Sequence, residues 1–254
     1  MNTLTLNPGR LVALGRSEVT LLVRNRAALT LAVLMPLLMV FILRSSLSGA
    51  DGAEALGEAT LTGGIGMVLI LVVHMNLVSA YVARREELVL KRLRTGEATD
   101  LEIIAGTALP AAVLALGQIA VLTVAGAAAL DVRMPRSPLL LVAGVLAGIV
   151  LLAGLSALAS AFTRTVETAG LTTLPLFLAT VLGSGLFFPA DSLPDLAASL
   201  CELLPLSGVM TLVRAGWSGG SAGGDLLGAG LTALAWIVIT VFSVQRWFRW
   251  EPRR

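Results

Sequence analysis

The sequence is short of charge, of cysteine and histidine, and of lysine. Only 13% of its 254 residues are charged, against about 25% in an ordinary soluble domain. Mean hydropathy is +0.90. A soluble fold of that composition would expose apolar patches large enough to aggregate, so an ordinary soluble globule is excluded. A lone cysteine, Cys201, excludes an intrachain disulfide. One histidine, His74, beside that one cysteine excludes a zinc site built from nitrogen and sulfur ligands of this chain. The only lysine, Lys91, sits in no G-x-x-x-x-G-K-[ST] context, so the chain has no loop for nucleotide phosphates. Nor do the first 26 residues read as a cleavable signal peptide: they carry four arginines and no long apolar core, and such a leader needs one.

Long apolar runs are what the chain does have. A spanning helix needs about 20 mostly apolar residues, and the runs predict six spans at about 27–43, 61–83, 102–130, 138–162, 168–188 and 226–247. The expected fold class is therefore all-α integral membrane, one domain over 1–254. Pro36, Pro110 and Pro175 fall inside spans, where neighbouring helices satisfy the freed carbonyls. Ahead of the spans, residues 10–26 place Leu11, Leu14, Val19, Leu21 and Leu22 on one helical face and Arg10, Arg16 and Arg24 on the other. That pattern suits a helix lying in the membrane interface, with Glu18 interrupting its apolar side.

Charge distribution orients the chain. With both ends in the cytoplasm, the cytoplasmic segments hold 14 of the 18 Arg and Lys residues and eight of the 16 acids. This is the excess that the positive-inside rule demands. The basic residues flank apolar spans, so a pI near 9.3 points to membrane topology and not to nucleic acid. Trp247 and Trp250, beside Arg246 and Arg249, read as an interfacial anchor.

Two segments between spans carry more than topology. The link 84–101 begins as a charged helix with Glu87 four residues before Lys91, a favourable i, i+4 order. Thr95-Gly96 breaks it. Thr99 and Glu102 then form a capping box that opens the third span. This link is either a solvated topology loop or a docking surface for a cytoplasmic partner. The second segment, 183–217, is too apolar for a free loop and too broken by Pro189, Pro194 and Pro205 for one span. Short helices over about 195–204 and 207–215, re-entering the outer leaflet, fit it. Backbone at that depth is buried in protein or lines a cavity, which makes the segment part of an exit gate or a packing lid.

The link sequence KRLRTGEATDLEI and the late sequence SGLFFPADSLP, followed by LLPLSG, resemble motifs of the ABC-2 type permease family. The resemblance runs over residues 10–250. Lys91, Arg92, Leu93, Arg94, Thr95, Glu102 and Ile103 match that family's link. Its usual Gly-Thr is Leu88-Val89 here, and its usual proline is absent near Gly96-Glu97. Gly185, Phe187, Phe188, Pro189, Leu193, Pro194, Leu204, Pro205 and Leu206 match the late motif. The resemblance implies a permease subunit of an ATP-driven exporter in a bacterial plasma membrane. The resemblance further implies a second permease, the same chain or a close paralogue, and two ABC ATPase subunits, with ATP and magnesium bound by those ATPases and no cofactor by this chain. It makes Arg84, Arg85, Glu86, Glu87, Lys91, Arg92, Leu93, Arg94, Thr95 and Glu97 the ATPase-coupling set. Phe187, Phe188, Pro189, Leu204 and Pro205 become the outer gate, and Arg16, Glu18 and Arg24 the interfacial helix. Small loops outside the membrane suit a small amphipathic or lipid-like substrate, such as a drug or antibiotic.

Polar residues within spans are functional candidates by default. His74, Asn76 and Gln118 either line the substrate path or make ordinary interhelical hydrogen bonds. Gly144 and Gly148 in span four have the spacing for close helix approach, although with 26 glycines one such spacing is expected by chance. A secondary transporter or channel is the competing function; it would want charged pairs or acid and histidine chains within spans, which are scarce here. A membrane-embedded enzyme lacks any catalytic constellation.

Overall fold

The computed structural model describes residues 20, 30, 34–38, 40–42, 45, 53–96, 99–130, 132–183, 195–219 and 223–251. Every regular element among them is helical. In chain order these are α1 (Ala53–Val68), a π-helical segment (Leu69–Met75), α2 (Asn76–Glu86), α3 (Val89–Arg94), α4 (Asp100–Leu130), α5 (Pro138–Phe162), a short 3-10 turn (Val166–Thr168), α6 (Ala169–Gly183), α7 (Asp195–Glu202), α8 (Ser207–Ser218) and α9 (Gly223–Trp247).

Four of the helical stretches are long and apolar enough to cross a membrane: Glu54–Glu86, α4, α5 and α9. They correspond to four of the six expected spans. The second starts earlier than the apolar run suggested, at Ala53 and not near residue 61. The expected fifth span is described only as far as Gly183. The stretch 10–26, with Arg16, Glu18 and Arg24, lies outside the described residues except for Thr20, and the expected first span is described only at isolated positions.

α5 is the centre of the bundle, packed against α8, α9, the π segment and α2. Outward-facing Leu139, Val142, Leu146 and Val150 on α5, and Leu227, Leu231, Leu234, Val238 and Phe242 on α9, are all exposed. In water that would be an aggregating patch, and it suits lipid.

The first long helical stretch buries a ladder at every fourth residue: Leu61, Ile65, Leu69, Val73, Leu77 and Tyr81, each 0–1% exposed. In an α-helix an i, i+4 ladder drifts around the axis by about 40° per step. Over five steps it would leave the core face. The wider i→i+5 turns of a π-helix drift the opposite way. The π segment in the middle of the stretch therefore returns the ladder to α5 and α4, and keeps both halves buried.

α8 is the most enclosed short element. Val209, Met210, Val213 and Trp217 are 0–1% exposed. Glycines on both sides let it sit this close. A Cβ on Gly148 would lie 2.9 Å from Val209 Cγ1, and one on Gly144 would lie 3.2 Å from the Val213 nitrogen. The Gly144/Gly148 spacing is therefore a used helix-packing surface and not a chance pair. On α8 itself, a Cβ on Gly216 would meet the Leu141 nitrogen at 2.6 Å, and one on Gly208 would meet the Ala229 carbonyl oxygen at 2.5 Å. The helix closes at Gly219, in the left-handed region at φ 70°, with its N–H on Ala215 O at 2.9 Å. Glycine takes that conformation without a Cβ penalty.

Candidate functional site: the link between the second and third spans

The link is built by two helix stops and one helix start. α2 ends at Glu86, and Leu88 takes φ 60°, ψ 14°. This is a left-handed conformation that costs an ordinary residue about 1–2 kcal/mol. It turns the chain into α3 (Val89–Arg94), whose Leu90 is 0% exposed and anchors the helix to the bundle. Thr95 closes α3, its N–H on Lys91 O at 3.2 Å and its Oγ1 on Arg92 O at 2.8 Å. The expected capping box then opens α4: Thr99 N–H donates to Glu102 Oε2 at 2.8 Å, and Glu102 N–H to Thr99 Oγ1 at 3.3 Å.

The stop at Leu88 corrects one expectation. Glu87 and Lys91 do not share a continuous helix, so the i, i+4 geometry is lost. Lys91 pairs with Glu251 at 2.9 Å. The break falls where the resembled motif carries glycine, the residue that takes a positive φ most readily.

The link is tied to three long helices. Tyr81 OH donates to Ile104 O at 3.0 Å, and Arg84 Nη1 to Thr107 Oγ1 at 3.1 Å, which joins α2 to α4. Arg94 grips Asp100 with both Nε (3.0 Å) and Nη2 (3.3 Å), which joins the end of α3 to the start of α4. Arg85 turns inward, is 1% exposed, and donates to Ser160 O at 2.7 Å and Thr163 O at 2.6 Å. Those carbonyls end α5, where backbone acceptors have no intrahelical donor and a cation is favoured by the helix dipole.

The ten expected coupling residues thus divide. Glu86, Glu87, Lys91, Arg92, Arg94 and Thr95 are exposed, Arg84 and Leu93 are half-buried, and Arg85 is buried. Glu97 lies outside the described residues. Arg92 makes no ion pair among the described residues.

The candidate substrate-path residues differ in setting. His74 is buried in the π segment, with Nδ1 2.9 Å from Ser156 Oγ of α5. Ser156 Oγ also has the carbonyls of Leu152 (2.5 Å) and His74 (3.2 Å) as acceptors, so a protonated Nδ1 is the tautomer that completes the His74–Ser156 bond. His74 Nε2 is buried without a partner among the described residues. Asn76 is exposed, its amide on Val72 O of its own helical stretch at 3.2 Å. Gln118 is buried in α4.

Of the outer-gate residues, Leu204 is half-buried and Pro205 buried in the turn between α7 and α8. Trp236 Nε1 of α9 donates to the neighbouring Leu203 O at 2.9 Å. Phe187, Phe188 and Pro189 lie outside the described residues.

Sequence reading missed Ser156 as the partner of His74, Arg85 as the cap of α5, and the contacts of the chain's end. Phe248 packs edge-on to Tyr81, with centroids 6.0 Å apart, and Trp250 edge-on to Phe248 at 4.8 Å. The Arg94 guanidinium lies 4.8 Å over the Trp250 ring. The expected interfacial anchor is therefore split: Trp247 is exposed, while Trp250 is engaged with the link.

The family model described as ABC-2 type transporter matches residues 10–217. No curated protein matches the sequence.

Proposed function

The chain belongs to the ABC-2 type transporter family, and on that premise we propose that it is the permease subunit of an ATP-driven exporter, docked on a cytoplasmic ATPase through the link 84–101. The observation that carries this reading is the construction of α3. It is a six-residue helix with exposed Lys91, Arg92 and Arg94 on a buried anchor, Leu90. Through Arg94 to Asp100, Tyr81 to Ile104 and Arg85 to Ser160 it is mechanically continuous with α4 and α5. A push on α3 would move long helices, where a solvated loop would absorb it.

In this reading the link end faces the cytoplasm of a bacterial cell, as the arginine distribution supports. Two ATPase subunits hold ATP and magnesium, and two permease copies enclose the path. ATP closes the ATPase pair, α3 passes the motion to the spans, and the path opens past α7 and α8. A small amphipathic or lipid-like molecule entering from the bilayer suits a chain whose bundle faces are so apolar.

The test is stoichiometric co-purification from the native membrane. An ATPase that remains bound to the wild-type chain and is lost with Arg92→Glu, while membrane insertion is unchanged, is the expected result. A chain that exports with no ATPase attached is a secondary transporter, and the proposal falls.

A further inference from the structure

The last described residues of the chain make a second connection to α3 that the docking reading does not require. Four contacts make this connection, two of them directly on α3. The Tyr81, Phe248 and Trp250 rings form an edge-to-face ladder running from α2 to the end of the chain, with centroids 6.0 and 4.8 Å apart. Trp250 ends the ladder beneath the Arg94 guanidinium at 4.8 Å. Arg94 is simultaneously held along its Nε/Nη2 edge by Asp100. One residue further on, Glu251 Oε1 meets Lys91 Nζ at 2.9 Å. Phe248 is itself fixed to the last turn of α9 by its N–H on Val244 O at 2.9 Å, so the ladder starts from a rigid base.

We propose that Phe248, Trp250 and Glu251 form a brace that sets the pose of α3, so that the docking surface made by residues 89–94 is held in place by residues 248–251. This rests on the docking role proposed above. It assigns the three basic residues of α3 different work. Lys91 and Arg94 have their charge matched inside the chain, by Glu251 and by Asp100 with Trp250. Arg92 is exposed on the same short helix without an internal ion pair among the described residues. Arg92 is therefore the cation presented to the partner, and the partner surface that fits it carries a carboxylate. Trp250 and Glu251 are positioning residues: they act on docking through α3.

Two measurements test the brace, one of which needs no ATPase. Arg92 and Arg249 are exposed and outside the four contacts. In a Cys201→Ser background, spin labels on Arg92→Cys and Arg249→Cys report a narrow distance distribution, and adding Trp250→Ala broadens it. A distribution already broad without Trp250→Ala overturns the brace, whatever the ATPase does.

The second measurement is the affinity of the ATPase that co-purifies with the wild-type chain. If none does, the docking reading itself has failed, and the spin labels still judge the brace. With binding in hand, Trp250→Ala weakens it about tenfold, from the combined loss of the aromatic pair and the cation–π contact. Trp250→Phe retains most of the affinity, and Arg249→Ala, the neighbouring control, leaves it unchanged. Lys91→Glu and Glu251→Lys each weaken binding about threefold, the scale of an exposed pair, and the double swap restores it. Wild-type affinity in Trp250→Ala overturns the proposal. So does a double swap as weak as Lys91→Glu alone, because Lys91 would then be touching the partner directly.

Discussion

At the link end of the bundle, Tyr81, Arg84, Arg85 and Arg94 each reach a polar acceptor on another element. At the opposite end, α8 is held by side chains that are missing both from α5 and from α8 itself. Gly144, Gly148, Gly208 and Gly216 remove side chains where helices meet, and Val209, Met210, Val213 and Trp217 fill the space between. The first construction is directional: it fixes orientation through a few bonds that can be broken one at a time. The second is steric, spreads its energy over many contacts, and tolerates loss of polarity but not added volume. The docking role proposed for the link needs the first kind of joint, because it has to pass a directed motion to the long helices.

Removing one side chain should break the first construction most severely. Arg85→Leu leaves the carbonyls of Ser160 and Thr163 without their charged donor. Charge-assisted hydrogen bonds are worth about 1.5–3 kcal/mol each, so a loss of about 3 kcal/mol is expected. The unfolding midpoint in lipid nanodiscs measures it. Arg92→Glu, on the surface of α3, should leave that midpoint unmoved. Equal effects of the two would mean that Arg85 is a surface charge and the α5 cap is not a joint.

The opposite substitution tests the other end. Gly216→Val puts a branched side chain where even a Cβ would lie 2.6 Å from the Leu141 backbone nitrogen. Overpacking of this kind costs about 1–3 kcal/mol. Gly117 of α4, with nothing near its Cβ position, is the control: Gly117→Val should move the midpoint little.

How much of this was legible beforehand follows the same division. Helix content, the α7/α8 pair around Pro205 and the capping box at Thr99 and Glu102 are local, and local chemistry is written in adjacent residues. Arg85 sits next to Arg84 in an apparently uniform basic run, and nothing in the run says that one turns inward to residues 160–164. Sequence likewise offers no reason for Trp250 to meet Arg94 across more than 150 positions. The Gly144/Gly148 pair was visible but indistinguishable from chance until Val209 and Val213 were placed against it. Leu88 is the instructive intermediate. A motif with glycine at that place hints at a positive φ, but leucine's own preferences argue for continued helix, and the charged run reads as helix straight through it.

Midway between the ends, His74 and Ser156 join the π segment to α5. Such bonds between membrane helices average about 0.6 kcal/mol, so Ser156→Ala should lower the midpoint only slightly. Its clearer signature is spectroscopic. Because His74 is the only histidine, 15N-histidine labelling reads its two ring nitrogens alone. Protonated Nδ1 is expected in the wild type, with a marked shift change in Ser156→Ala. A proton found on Nε2 alone would reverse the hydrogen-bond direction across the π segment.

The smallest expected effect concerns the hinge from α2 into α3. Leu88 at φ 60° carries about 1–2 kcal/mol of left-handed strain. Glycine would relieve it, but a glycine also costs about 0.5–1 kcal/mol in unfolded-chain entropy, and some contact of a 40%-exposed leucine is lost. The balance for Leu88→Gly is a gain of about 0.5 kcal/mol, with ATPase affinity unchanged because α3 keeps its pose. Leu88→Pro, which cannot take a positive φ, should destabilise the link and release the partner. If glycine instead weakens docking while raising stability, the strained leucine is holding α3 at an angle that a relaxed hinge would abandon. The directional end of the molecule would then depend on strain as well as on bonds.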